Sequence, residues 1–205
     1  MVITPIAIAT EDQLSEAIAL RLISEIPIPH RVTFKLGNRG NGYLRSKMRS
    51  WCQMAEQQVM VVLTDLDRAN CLVEFRDQWL DKALPDNLLF RIAVREVESW
   101  VLADHVAMRE LIGAKGVLPV APDELADPKR ALLGLAKTAP RSVRNDLLKR
   151  IDGNFAQGLG YNARLTAWVN SEWNPQRAAE RSPSLARARL RLNEVVRAFA
   201  LPTSG

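Results

Sequence analysis

Three acidic groups in the N-terminal half each follow an apolar run. Glu11-Asp12 follows residues 2–9, Asp65-Leu66-Asp67 follows 59–63, and Glu96 and Glu98 follow 88–94. Carboxylates brought together repel one another, so either their pKa values rise or a cation intervenes. Hard oxygen donors of this kind suit Mg2+ or Mn2+. A bound divalent ion stabilises charge on a phosphoryl oxygen and activates water. Asp65 and Asp67 are the leading metal ligands. Glu11 is the candidate third ligand or general base, and as a base it needs a pKa raised by its acidic neighbours. Glu96, nearest its strand end, ranks ahead of Glu98 as a further ligand, because residues two apart on a helix do not share a face. A plainer reading stands beside each: Glu11, Asp12, Glu96 and Glu98 as acids in first helical turns, Asp67 as an N-cap. Glu16 either supports Glu11 from one turn along the first helix or lies on a solvated face.

These residues act together only if the chain carries them to one place. The apolar run 2–9 reads as a strand with an irregular position at Pro5. Leu14, Ile18, Leu22 and Ile26 have helical spacing. Val32, Phe34 and Leu36 alternate as a second strand, which the glycine-rich segment 37–42 ends. Residues 43–56 read as a helix. The β-branched run 59–63 has the signature of a strand buried on both faces. A helix over 72–84, a fourth strand over 88–94 and a helix over 97–112 closed by Gly113 complete the series. Strands alternating with helices predict a parallel sheet with right-handed crossovers. In such a sheet the strand C-termini share one edge, where ligands bind. Three of the four strand exits carry acids, and the fourth is the glycine-rich turn, which lacks the Lys-Ser/Thr ending of a P-loop.

Beyond Gly113 the pattern changes. A proline-rich stretch, 116–128, precedes helices predicted near 128–137, 142–150, 159–170 and 184–199, with 202–205 frayed. The division expected is an α/β domain over 1–113 and a mostly helical extension over 114–205, in 205 residues with no internal repeat. Residues 1–112 carry 13 Lys/Arg against 15 Asp/Glu, a net charge of −2, and residues 113–205 carry 15 against 8, a net of +7. A basic tail of this kind attracts a polyanion, since Lys and Arg neutralise phosphates; a solvated basic surface is the alternative. Lys129 could reach a phosphate. Arg187 and Arg191 share one helical face, which Arg189 does not, and are candidates for binding nucleic acid or an acidic partner. Trp100 reads as core rather than as a stacking platform. Two cysteines, Cys52 and Cys71, and the absence of a basic leader predict reduced thiols in a cytoplasmic protein. No apolar run reaches the ~20 residues of a membrane span.

The arrangement of acids resembles a Toprim domain over about residues 1–112. That family has a glutamate after its first strand, matched by Glu11, and an Asp-x-Asp after its third, matched by Asp65-Leu66-Asp67. A narrower resemblance, along nearly the whole chain, is to an uncharacterised bacterial family related to RloB and the OLD-type nucleases. It rests on Thr10-Glu11-Asp12, the segment 37–42, Val62-Leu63-Thr64-Asp65-Leu66-Asp67, the stretch from Arg95 to Asp104, and Asp127-Pro128-Lys129. Two positions depart from the Toprim pattern: Asp12 stands where glycine usually follows the glutamate, and Arg68 where a third aspartate sometimes does. Neither Tyr43 nor Tyr161 has the context of a topoisomerase nucleophile, which leaves water as the attacker.

The resemblance implies a Toprim-like small parallel sheet flanked by helices, with a helical C-terminal extension. It also implies a metal-dependent nuclease in which Glu11, Asp65 and Asp67 hold Mg2+ or Mn2+, in a phage-defence or stress module with a possible ATPase partner. The rival expectation is a non-catalytic module whose acids hold an ion while its basic half docks an ATPase or nucleic acid. A phosphatase of the haloacid dehalogenase type also uses Asp-x-Asp, but after the first strand rather than the third.

Overall fold

Residues 59–63, apolar on both faces, do form an interior strand. In the computed structural model, which describes residues 3–65, 79, 83–93, 96–151 and 154–201, strand β3 is Val59–Asp65. It pairs in parallel with β1, Thr4–Thr10, on one side and with β4, Leu88–Ala93, on the other. Strand β2, His30–Gly37, pairs in parallel with the far side of β1, so the sheet order is β2-β1-β3-β4. The irregularity expected at Pro5 falls one residue on, where the β1–β2 register shifts between Ile6 and Ala7. This is an α/β fold with a small four-stranded parallel sheet, flanked by helices and followed by a largely helical C-terminal region.

Side chains alternate across a strand, and the two faces are covered by different helices. Ala7 and Ala9 of β1, Met60 and Val62 of β3, and Leu88 and Phe90 of β4 pack with Leu44, Met48 and Trp51. Those last three come from α2, Gly40–Ser46, and α3, Met48–Met54. The small alanines leave room for the Trp51 ring, whose Nε1 donates to the Leu44 carbonyl at 3.2 Å. On the opposite face α1, Gln13–Ile23, packs against β1 and β3. Of the helix expected over 72–84, Trp79 is described and helical, and lies against Phe90 with ring centroids 5.1 Å apart, whereas Ala83 and Leu84 are described and not helical. Most of that helix, together with Leu66, Asp67, Arg68, Cys71 and Arg95, lies outside the described residues, as do 202–205. Cys52 is a free thiol.

The chain forms two compact units: one takes the residues to Ala93 and from Arg187 on, the other is Val94–Ala186. In the second, the helix expected over 97–112 is two helices, α4 Glu98–Ala103 and α5 His105–Ile112. Asp104 breaks it with non-helical backbone and caps α5. Then come α6 Pro128–Ala136 and α7 Arg141–Leu147. The expected helix over 142–150 is corrected here. It stops at Leu147, and the chain turns into an antiparallel hairpin of β5, Leu148–Ile151, and β6, Asn154–Gln157. Helices α8 Tyr161–Ser171 and α9 Pro175–Ala179 follow. The last helix, α10 Pro183–Ala200, starts in the second unit and continues in the first. Ser182 caps it, its Oγ accepting from the Leu185 amide at 3.3 Å. Trp100 is core, its Nε1 donating to Ser184 Oγ at 2.7 Å.

Candidate functional site

From β1 the chain leads to β2, and from β3 it leads to β4, on opposite sides of the β1–β3 pair. The order therefore reverses between these two neighbours. The crevice outside the carboxyl ends of strands at such a switch point is where open α/β sheets bind ligands. Glu11 is the first residue beyond β1, and Asp65 is the last residue of β3. The register sets Thr10 beside Leu63, which brings Glu11 beside the end of β3. Glu11 Oε1 accepts the Asp65 amide at 2.9 Å and also the Thr64 hydroxyl. Two sequence-predicted acids, 54 residues apart in the chain, thus meet at one rim.

The glycine-rich turn holds that rim in place. The Asn38 amide donates to the Thr10 carbonyl at 2.8 Å, and the Gly40 amide to the Glu11 carbonyl at 3.0 Å. Gly37 has φ +104°, and a Cβ there would lie 2.1 Å from the Thr10 carbonyl oxygen, so no other residue fits so close to β1. Glu16 serves the same turn, accepting from Asn38 Nδ2 at 2.9 Å and pairing with Lys35 at 3.7 Å. Asp12 has φ −147° and ψ −179°, extended backbone that any residue adopts, and its side chain accepts from the Ser15 amide at 2.8 Å. An aspartate at the position where glycine was expected is therefore an unstrained N-cap of α1.

In kind, the donors fit a hard cation: two carboxylate-bearing residues at neighbouring strand ends, with Glu11 fixed by two hydrogen bonds. Asp67 lies outside the described residues. Among the described residues, no group of three His, Cys, Asp or Glu is placed to hold a metal ion.

The remaining acids and Lys129 form a cluster in the second unit. Glu96 Oε2 accepts the Lys129 amide at 2.9 Å, and Asp127 caps the same helix through the Arg130 amide at 2.7 Å. Asp127-Pro128-Lys129 is thus a helix start with proline at N1. Glu98 is buried. It accepts the Tyr161 hydroxyl at 2.8 Å and stands 3.4 Å from Lys129 Nζ. Burial pushes the Glu98 carboxyl above the usual carboxylate range, while Lys129 and Tyr161 pull the other way. A carboxyl whose pKa is raised by folding binds more protons in the native state, so it erodes stability as pH climbs from the ordinary Glu value through the raised one. Glu98→Gln, which still accepts from Tyr161, should therefore gain on the wild type across that window. Melting both proteins over a pH series checks this; a difference that does not vary with pH contradicts it.

Arg187 and Arg191 are exposed on α10, whereas Arg189 turns away to pair with Glu25 at 2.9 Å. Arg191 also reaches Glu194 at 3.0 Å. Both lie near Arg91 of β4, whose guanidinium pKa is lowered first by burial and then by the charge of Arg191, with Glu194 opposing and Arg187 adding. Arg91 was missed in sequence because an arginine within an apolar strand gives no sign of the helix beside it.

The class that fold and site define is an α/β protein with two acidic residues, Glu11 and Asp65, at neighbouring strand ends of a four-stranded parallel sheet. No family model, curated protein or solved structure matches the chain. No helix among the described residues is long and apolar enough to cross a membrane.

Proposed function

We propose that the chain is a Toprim-like, metal-dependent nuclease that hydrolyses phosphodiester bonds in nucleic acid. The observation that carries this reading is the hydrogen bond from the Asp65 amide to Glu11 Oε1, which joins the two acids at the switch point. Glu11, Asp65 and Asp67 would hold Mg2+ or Mn2+. The ion supplies charge neutralisation at the phosphoryl oxygen and acidifies water. Glu11, held by Thr64 and Asp65, takes the proton of the attacking water as that oxygen bonds to phosphorus; the P–O bond to the leaving oxygen breaks, and that oxygen is protonated by solvent. Glu96, the further ligand expected, has its Oε2 on the Lys129 amide at the start of α6. Lys129 stands against Glu98 and Arg191 against Glu194, and with Arg187 they are the cations proposed to contact phosphate. A defence or stress role and an ATPase partner are expectations of the family resemblance, and a cytoplasmic site of action is the expectation drawn from the few cysteines.

The test is cleavage of labelled single- and double-stranded DNA and RNA with Mg2+ or Mn2+. Asp65→Asn should abolish metal-dependent cleavage and leave the far-UV circular dichroism unchanged. Cleavage at the wild-type rate in that variant refutes the assignment. A wild type that binds the metal but cleaves nothing supports the rival, a non-catalytic module whose basic half docks a partner.

A further inference from the structure

The basic excess of the C-terminal half is not spread evenly. Residues 129–164 hold eight Lys/Arg and two Asp/Glu. Of the two acids, Asp146 is paired with Arg164 at 2.8 Å, and Asp152 lies outside the described residues. Lys137, Arg141, Arg144, Lys149 and Arg150 are all exposed, and none forms an ion pair among the described residues. At the centre of this stretch stands the hairpin. Arg150 and Phe155 are directly opposed across β5 and β6, which puts them on one face. Phe155 is 38% exposed, and the Lys137 ammonium and the Arg150 guanidinium each lie 5.2 Å from its ring centroid. The hairpin's base is rigid: the Gly158 amide donates to the Leu147 carbonyl at 2.8 Å, and a Cβ on Gly158 would lie 2.3 Å from the Asp146 carbonyl oxygen.

We propose that hairpin β5–β6, with Lys137 at the end of α6, is a binding platform for single-stranded nucleic acid. Phe155 stacks a base while Lys137 and Arg150 take the flanking phosphates. An exposed aromatic ring among unpaired cations is the combination by which single strands are held without sequence readout. A cation over an exposed ring contributes less than a stacked base does, so the two cations yield the ring to the base and turn to the phosphates. A duplex offers no unstacked base to the ring. This rests on nucleic acid as the ligand, as in the reading above, but not on hydrolysis.

The test uses the full chain in EDTA, with fluorescence anisotropy of a labelled oligo-dT strand. Phe155→Ala should weaken binding by about tenfold, and Phe155→Trp should restore it. Lys137→Gln with Arg150→Gln should lower the slope of log affinity against log salt by about 1.4. That pair also keeps the test open if Phe155→Ala fails to fold. Wild-type affinity in Phe155→Ala overturns the proposal. So does equal competition by duplex DNA or by poly-glutamate, the latter marking the hairpin as a surface for acidic protein. A hairpin variant that loses oligo-dT while the wild type cleaves nothing sinks the nuclease and not the platform. Unaltered binding alongside cleavage that depends on Asp65 does the reverse.

Discussion

Glu11→Gln should reduce metal-dependent cleavage by about a hundredfold or more, the contribution typical of a positioned general base, while leaving the protein folded. The glutamine amide oxygen can still accept from the Asp65 amide and the Thr64 hydroxyl, so the end of β1 stays tied to the end of β3. What disappears is the negative charge that receives the proton and draws the cation. Glu11→Ala behaves differently: it strips the acceptor from both donors and should cost about 1–3 kcal/mol of stability as well. Cleavage rates and denaturant midpoints measured on both variants separate the two effects. Full activity in Glu11→Gln would show that the acid is an architectural tie between strands and nothing more.

The largest loss of stability is expected at Asp104. This carboxylate is fully buried. Its Oδ1 accepts from Arg177 Nε at 2.9 Å, and its Oδ2 accepts from Arg177 Nη2 at 2.8 Å and from the Asn174 amide at 2.8 Å. It also caps α5 through the Ala107 amide at 3.4 Å. The Asp104 hydrogen bonds hold the Arg177 guanidinium above its ordinary pKa. Removing one partner of a buried pair costs about 3–5 kcal/mol. Asp104→Ala belongs near the lower end, because Arg177 is 37% exposed and regains water. Asp104→Asn, which keeps an acceptor but cannot take the guanidinium fork, should fall between. Denaturant unfolding followed by tryptophan fluorescence reports on it, since Trp173 donates to the Trp100 carbonyl in the same unit. A loss below about 1 kcal/mol for Asp104→Ala would mean that the fork contributes no more than a surface pair.

The sheet was legible because its pattern is local. The run from Val59 to Leu63 is apolar on both faces only because helices cover both faces, and the exits of β1 and β3 follow from counting strands. The link from Glu11 to Thr64 and Asp65 was foreseeable only as proximity at one edge, since its geometry depends on a register that no local pattern states. Three features were missed for physical reasons. Apolar spacing runs straight through Asp104, whose non-helical backbone ends α4 and whose carboxylate is bound by Arg177, 73 residues away. The predicted helix over 43–56 is interrupted at Lys47, whose φ of −103° and ψ of 2° leave the helix between α2 and α3. The hairpin strands are four residues each, too short and too polar for a clear alternation. The sequence signal available was Asp152-Gly153, a dipeptide favoured in two-residue hairpin turns, which the prediction of a helix over 142–150 left unused. The start of the glycine segment was readable as a turn, but Gly40–Gly42 open α2 rather than extend that turn, and the role of the segment in clamping the Thr10 and Glu11 carbonyls belongs to the neighbouring strand.

Binding of Mn2+, followed by the loss of its free-ion paramagnetic resonance signal, asks most directly whether the acids at the switch point grip a dication. Wild-type protein should take up the ion and Mg2+ should compete for it. Asp65→Asn and Glu11→Gln should lose that uptake, while Glu98→Gln keeps it. Uptake that survives Asp65→Asn unchanged, or a wild type that takes up none, contradicts the metal site and the nuclease built on it.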